Sequence, residues 1–105
     1  MSDESTVPES YPTRADVRSV PRLRWEDERG PRVQAVEGRT FLGSASSAAL
    51  VVAHRSVSRL HAEIEPAPGG LWVRDLGSLN GTWAGAVRLR EGVVPFGGRV
   101  RLGAI

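Results

Sequence analysis

From Pro21 onwards the chain consists of short apolar stretches separated by turn-forming residues. No segment keeps a 3.6-residue apolar period over three turns, which argues against long amphipathic helices. Glycine readily adopts positive φ, and proline interrupts the hydrogen bonds of a strand ladder. The residues between the apolar stretches are therefore interpreted as turns between strands. Many short strands at close spacing predict an all-β domain built as a β-sandwich.

Nine segments have the length and composition of strands. Ala62 with Ile64, and Val100 with Leu102, alternate as in a half-buried strand. The predicted strands cover residues 23–26, 32–36, 40–43, 50–52, 61–65, 71–75, 82–83, 87–89 and 99–102. Residues 28–31 and 66–70, rich in glycine and proline, are the clearest hairpin connections. Residues 46–53 could instead form a short helix, which would not change the fold class.

One change of composition divides the chain. Residues 1–20 hold Ser, Thr, Pro and charged residues with almost no apolar periodicity, so they predict a flexible N-terminal tail. Residues 21–105 carry the apolar pattern and form the predicted domain. A chain of 105 residues has room for one small hydrophobic core.

Composition excludes several classes of function. All 14 basic residues are arginine, so a P-loop or a Schiff-base enzyme has no lysine to use. The absence of cysteine rules out a disulfide framework and thiolate metal sites, and we predict neither metal nor cofactor. No apolar run approaches the roughly 20 residues of a membrane span, and the first residues do not resemble a signal peptide. A cytoplasmic location without membrane contact is therefore predicted.

Two motifs carry the functional information. The first, Ser58-Arg59-Leu60-His61, lies at the end of a predicted loop and directly before a strand. The second occupies residues 75–82, reads Asp-Leu-Gly-Ser-Leu-Asn-Gly-Thr, and follows an apolar strand. With Phe41-Leu42-Gly43 upstream, the pair resembles the forkhead-associated (FHA) family, whose signature is a Gly-Arg turn, then S-R-x-H, then S-x-N-G-T. The resemblance extends from about Arg22 to Ile105.

This resemblance implies a fold and a function. The fold would be an FHA-like β-sandwich of two mainly antiparallel sheets with binding loops at one end. The function would be phosphothreonine-dependent recognition of a peptide or protein in signalling or transcriptional regulation, without catalysis. Phosphothreonine brings about −1.5 to −2 charges and three acceptor oxygens, so its site needs several donors converging from loops on a rigid scaffold.

The family pattern also implies individual roles. Ser58 would donate its hydroxyl to the phosphate, and Asn80 would pair with the main chain of the ligand, because an amide offers both donors and an acceptor. Asn80-Gly81 could alternatively be a plain turn pair, but the flanking serine and threonine favour the binding role. Arg59 faces either the ligand or solvent. The loops themselves would be shaped by four structural residues: Gly43, His61, Gly81 and Thr82.

Two departures from the family pattern affect the predicted site. Members read Ile-Gly-Arg where this chain has Leu42-Gly43-Ser44, so the hydroxyl of Ser44 replaces the arginine that pairs with phosphate. A charge-assisted hydrogen bond contributes roughly 1.5–3 kcal/mol. Leu79 stands where many members carry threonine. The alternative is therefore a degenerate FHA-fold module that binds proteins without phosphate, unless Arg55 or Arg59 supplies the missing charge.

The end of the sequence also departs from the family. FHA domains finish with one more strand after a segment like residues 100–103, so we expect the domain to lack its last strand here. Bacterial proteins that look like this at their amino end often continue into transcription-activating domains, which is an analogy at the level of the family.

Other classes of function fit the sequence less well. Arginines are interspersed with acids, as in Arg24-Trp25-Glu26-Asp27-Glu28-Arg29, so no basic stripe predicts direct nucleic-acid binding. Ser58, His61 and Asp75 supply the residue types of a catalytic triad, but nothing resembles a nucleophile elbow. Two histidines without cysteine make a poor metal site.

Overall fold

The computed structural model describes residues 20–105, and every regular element in this part of the chain is a β-strand. The predicted tail, residues 1–20, lies outside the described residues except for Val20. No helix in residues 20–105 has the length and apolarity that crossing a membrane requires. The strands are β1 (Arg22–Asp27), β2 (Gly30–Ala35), β3 (Thr40–Gly43), β4 (Leu50–Val51), β5 (Ala62–Ala67), β6 (Gly70–Asp75), β7 (Thr82–Ala84), β8 (Val87–Arg88), β9 (Glu91–Pro95) and β10 (Arg101–Leu102).

The strands are arranged in three hydrogen-bonded sheets. A five-stranded sheet has the order β4-β3-β5-β6-β9, a three-stranded sheet has the order β10-β7-β8, and β1 pairs with β2 as a hairpin. Every pair is antiparallel except β3 with β4. The prediction of an all-β, mainly antiparallel sandwich is confirmed, with the strands divided among three sheets.

The core lies against the inner face of the five-stranded sheet. Strand residues point alternately to opposite faces, so Ile64 of β5 and Val73 of β6, which pair in register, both face inward. Leu50 of β4 is fully buried beside them, and Leu102 of β10 closes the cluster from the three-stranded sheet. Burial of each such side chain contributes roughly 1.5–3 kcal/mol, which holds the sheets together.

A buried carboxylate lies on the opposite, outer face of the same sheet. Glu63 of β5 is fully buried, and its Oε1 accepts a hydrogen bond of 2.6 Å from Arg74 Nη2. Its other oxygen accepts a bond from the Arg39 side chain. The bonds from Arg39, followed by those from Arg74, lower the pKa of Glu63 despite burial. The side chains of Arg39 and Arg74 are therefore both paired with Glu63 on the outer face of the sheet.

The β1–β2 hairpin is tied to the segment that follows β4. The carboxylate of Asp27, at the end of β1, accepts a 2.9 Å bond from Ala53 N, and Glu28 N donates to Ala53 O at 3.1 Å. Leu23 and Trp25 of the hairpin pack against the core. These contacts fix where the long β4–β5 loop starts.

All nine predicted strands exist, with ends that differ by at most two residues. The hairpins at residues 28–31 and 66–70 are present, and residues 46–53 form a turn and the short β4 rather than a helix. Strand β9 was not predicted, and it contains Gly92 and Pro95, residue types that are depleted in strands. β9 is an edge strand of the five-stranded sheet and pairs there with β6. Proline is tolerated in an edge strand because one side of the strand forms no ladder hydrogen bonds.

Gly43, at the end of β3, lets two loops approach each other closely. A Cβ added at this position would lie 2.1 Å from the backbone oxygen of Arg59. Real Cβ atoms do not come that close to backbone, so only glycine fits without a shift of the loop. Gly43, which the sequence analysis assigned to loop structure, lies where β3 meets the loop that bears Arg59.

Gly43→Ala should therefore lower the free energy of unfolding by about 1–3 kcal/mol, as expected for overpacking against backbone. Gly38→Ala is the matched control, since a Cβ there meets nothing within 4 Å. The control should be neutral or stabilising by up to about 1 kcal/mol through the unfolded state. Urea unfolding of both variants tests this, and equal stability would contradict the close packing.

Candidate functional site

Three loops meet at one end of the five-stranded sheet: residues 44–49 after β3, 52–61 after β4, and 76–81 after β6. The first two are joined through their backbones. Ser44 N donates to Ser58 O at 2.9 Å, and Ala45 N donates to Arg59 O at 3.1 Å. Ser44 and Ser58, predicted from separate motifs, are therefore neighbours in space.

Ser58 also connects to the third loop. Its Oγ accepts a 3.1 Å hydrogen bond from Leu79 N, so the hydroxyl hydrogen remains available for donation to another acceptor. The residue is half-buried. An oriented, partly exposed hydroxyl at the junction of the loops is suited to an anionic oxygen.

Asn80 is exposed on the β6–β7 loop and reaches back across the site. Its Nδ2 donates a 2.9 Å bond to Ser56 O, and among residues 20–105 no partner occupies its second N–H or its amide oxygen. The Asn80 backbone oxygen accepts a 2.9 Å bond from the indole of Trp83. The side chain is thus held in place while one donor and one acceptor face outward.

His61 lies beneath the loops and is fully buried. Its Nδ1 accepts a 3.0 Å bond from Ser58 N, so the proton is assigned to Nε2, which donates to Gly81 O at 2.9 Å. Burial lowers the pKa of His61, although the bond to Gly81 and the charge of Asp75 oppose that shift. A neutral imidazole therefore bridges the β4–β5 and β6–β7 loops.

Asp75 organises the β6–β7 loop from within. Its Oδ1 accepts bonds of 2.6 Å from Ser78 Oγ and 2.7 Å from Thr82 Oγ1, and its Oδ2 accepts from the backbone N of Gly77 and Ser78. Burial opposes ionisation, yet these bonds prevail and lower the pKa of Asp75. The sequence-based interpretation did not assign this role, although an aspartate followed by Gly-Ser two residues later is typical of an Asx turn.

Gly81 and Thr82 shape the same loop. Gly81 has a φ of +89°, and a Cβ there would lie 2.8 Å from Trp83 Nε1 and 3.0 Å from Arg88 Nε. Thr82 is fully buried and donates to Asp75, as described above. Glycine is needed at position 81 for both the backbone conformation and the close contact.

The remaining predicted residues border the site, and their side chains make no polar contact with other residues of the range 20–105. Leu79 is 83% exposed at the tip of the third loop, and Arg59 is exposed on the second. Arg55 is also exposed on the second loop. Arg39, by contrast, is paired with Glu63 on the outer face of the sheet and belongs to a different surface.

The distribution of charge was missed in the sequence analysis. Residues 38–62, 76–90 and 96–105, which supply the three loops and the three-stranded sheet, contain no Asp or Glu. The same segments carry seven arginines: Arg39, Arg55, Arg59, Arg88, Arg90, Arg99 and Arg101. Except for Arg39, none has a carboxylate within 4.0 Å among residues 20–105. Counting acids segment by segment would have revealed this basic end.

The arrangement therefore brings a hydroxyl and a side-chain amide together on a surface flanked by the exposed Arg55 and Arg59. Among residues 20–105, no group of three metal-ligating side chains comes together. The sequence matches the FHA domain family over residues 40–103, which include all three loops. The chain belongs to the FHA domain family.

Comparisons with individual FHA proteins support this assignment to the family. FhaB of Mycolicibacterium smegmatis is 33% identical over 75 residues, which cover 70% of this chain and 48% of FhaB. The chain thus spans about half the length of that curated relative. The FHA domain of FhaA, solved in complex with the intracellular domain of Rv3910, is 30% identical with a TM-score of 0.67, over 82% of this chain and 93% of that one. An FHA domain studied for phosphothreonine-dependent interactions is 28% identical with a TM-score of 0.66, over 79% and 85% of the two chains.

The bridge made by His61 predicts a pH dependence of this FHA domain. Because folding lowers the pKa of His61 below its ordinary value of 6.5, the unfolded chain binds the proton more readily. The stabilisation is present above about pH 6.5 and is lost as pH falls toward the folded pKa. Urea unfolding at pH 7.5 and 5.5 should show lower stability at pH 5.5.

His61→Gln provides the comparison for this prediction. The variant should be less stable at pH 7.5, and its stability should change less between the two pH values. His54 is present in both proteins, so the comparison isolates position 61. An unchanged pH dependence in His61→Gln would contradict the assignment of the neutral bridge.

Proposed function

We propose that this FHA domain binds extended peptides or protein segments that carry phosphothreonine, as a recognition module in signalling. The observation that carries the proposal is the convergence of the Ser58 hydroxyl and the Asn80 amide at an end of the molecule whose loops contain no acid. The activity is binding, and it requires neither metal nor cofactor.

The phosphate would lie between the first and second loops. A phosphothreonine offers three acceptor oxygens and about −1.5 to −2 charges. The Ser58 hydroxyl donates one hydrogen bond, and the neighbouring Ser44 hydroxyl can donate a second. Arg55 and Arg59, exposed on the same loop, supply the positive charge.

The peptide backbone would be held by Asn80. Its free N–H and its amide oxygen match the C=O and N–H of one extended residue, so this contact does not depend on the ligand's sequence. Leu79, exposed beside it, offers an apolar contact to one ligand side chain. Phosphate and main chain together would define the bound segment.

Two similar FHA domains of known structure support this proposal, because both were studied for their interactions with partners. The FHA domain of FhaA was solved with the intracellular domain of a partner protein. The other solved domain belongs to work on phosphothreonine-dependent FHA interactions. At 28–30% identity they support the same class of ligand here. A cytoplasmic location is part of the proposal, because the cysteine-free chain suits a reducing compartment.

A second candidate is binding of a protein surface without phosphate. It is favoured by Ser44, which offers a hydroxyl where the family's arginine would pair with the phosphate. The two candidates differ in one measurable quantity, the ratio of affinities for a phosphorylated peptide and its unphosphorylated twin.

Isothermal titration with phosphothreonine peptides from a degenerate library, each beside its unphosphorylated twin, tests the function. The phosphorylated peptides should bind at least about tenfold tighter, since one charge-assisted bond contributes about 1.5–3 kcal/mol. Ser58→Ala should reduce this ratio, and Asn80→Ala should weaken both members of a pair. Equal binding of both twins would favour the second candidate.

Ser44→Arg tests the position where this chain departs from its family. The new guanidinium would add a permanent, bidentate partner for phosphate, so affinity for the phosphopeptide should rise about tenfold. The unphosphorylated peptide should gain nothing. Ser44→Gln, which adds length without charge, is the control. No gain with arginine would mean that the pocket is already filled by another arginine or does not hold phosphate.

A further inference from the structure

Ser56 lies in the second loop, two residues before Ser58, and belongs to neither of the two motifs. Its backbone oxygen accepts the 2.9 Å hydrogen bond from Asn80 Nδ2. Among residues 20–105 this is the one polar contact that the Asn80 side chain makes. The orientation of the Asn80 amide therefore depends on where Ser56 lies.

The hydroxyl of Ser56 is engaged on two sides. Ser56 Oγ accepts a 2.8 Å hydrogen bond from Ala104 N and lies 2.7 Å from His54 Nδ1. Because His54 Nδ1 also accepts a 3.1 Å bond from Ser56 N, the ring proton is assigned to Nε2, and the hydroxyl donates to Nδ1. Ser56 thus uses both its donor and an acceptor to fix its own position.

Residues 102–105, which we call the supporting turn, pack directly on Ser56. Backbone hydrogen bonds of 2.7 and 3.0 Å join the two ends of this turn. Gly103, inside it, has a φ of +59°, and a Cβ there would lie 2.3 Å from Ser56 O. Gly103 N also donates to Gly81 O at 3.0 Å, so the turn contacts both the second and the third loop.

These contacts form one continuous path from the supporting turn to the Asn80 amide. Ala104 N holds the Ser56 hydroxyl at 2.8 Å, and Ser56 O holds Asn80 Nδ2 at 2.9 Å. Ser56 therefore fixes the group that would meet the main chain of the ligand, whereas His61 fixes the backbone of Ser58. The two serines of the second loop have different tasks.

We propose that Ser56 is a positioning residue of the peptide-binding site and couples the Asn80 amide to the supporting turn. This inference rests on the proposed function and adds the residue that sets the strength of the main-chain contact. An amide that is held before binding loses less rotamer freedom on binding, so affinity for the ligand's main chain is higher. Coupling between sites is reciprocal, so a ligand that fixes Asn80 also stabilises the supporting turn.

Ser56→Ala removes the hydroxyl and keeps the backbone oxygen, so it loosens the support of Asn80 without deleting a group that would touch the ligand. Affinity for a phosphothreonine peptide should fall about two- to tenfold, the range of one lost hydrogen bond. The unphosphorylated twin should weaken by the same factor, because the main-chain contact is common to both. NMR titration, which also measures weak binding, should therefore show an unchanged ratio between the twins.

Two comparisons separate positioning from a general loss of stability. Thr40→Val removes another hydroxyl that donates to a backbone oxygen, at 2.8 Å, but at the end of β3 that lies away from the loops. This control should leave the affinity unchanged. In the Asn80→Ala background, Ser56→Ala should cost no further affinity, because the amide that it positions is already absent.

Hydrogen exchange of the Ala104 amide tests the coupling to the supporting turn. A saturating phosphothreonine peptide should slow this exchange in the wild type, by up to the same two- to tenfold factor, because the coupling is reciprocal. The peptide should have no such effect in Ser56→Ala, where the acceptor of the Ala104 N–H is missing.

Gly103→Ala tests the same coupling from the other end. The added Cβ would press on Ser56 O, so affinity for both twins should fall as in Ser56→Ala. Gly69→Ala is the matched control, because Gly69 has a similarly positive φ of +79° and a Cβ there meets nothing within 4 Å. The control introduces backbone strain in the β5–β6 turn and should not change the affinity.

Unchanged affinity in Ser56→Ala, an equal loss in the Asn80→Ala background, or a loss confined to the phosphorylated peptide would each overturn the proposal. The last result would mean that Ser56 acts on the phosphate through Ser58. Failure of the proposed function is visible separately, in the wild-type ratio between the twins. Without any peptide, the hydrogen-bonded Nδ2 proton of Asn80 should move upfield in NMR spectra of Ser56→Ala, and an unmoved signal would equally refute the support.

Discussion

The buried imidazole of His61 is the interaction on which the binding end depends. It accepts from Ser58 N and donates to Gly81 O, while its backbone N donates to Leu42 O. The backbone of His61 therefore joins the second loop to β3, and its neutral side chain joins the second loop to the third. A buried polar ring is stable only when both nitrogens are satisfied, so the two loops must keep their relative positions.

Two further constraints act within this frame. Asp75 folds the β6–β7 loop around its carboxylate, and Gly43 allows the loop that bears Ser58 to lie directly against β3. The hydroxyl and the amide that would meet the ligand are thereby presented on a rigid surface. Because the loops are held before binding, little ordering cost would be left for the bound state.

Sequence reasoning recovered most of the strands, since apolar residues at alternate positions, such as Ala62 and Ile64, mark the face that packs on the core. It did not predict from this pattern that Glu63, between them, is buried as well. It missed β9, because Gly92 and Pro95 resemble loop residues unless the strand is known to lie at an edge. It assigned Ser58 and Asn80 to the predicted site through their motifs, but it did not predict that Trp83 lies between Arg88 and Arg101. No local pattern relates residue 83 to residue 101, and their pairing exists only in the sheet.

The sequence by itself determined the all-β class, the positions of most turns and the two motifs, because these are local properties of neighbouring residues. Only the tertiary structure decided which side chains meet. Register between strands paired Arg39 with Glu63 on one face and placed Arg88 and Arg101 on either side of Trp83 in another sheet. Arg39 is thus paired with a carboxylate, whereas Arg88 and Arg101 have none within 4.0 Å among residues 20–105, because charge acts over distances in space and not along the chain.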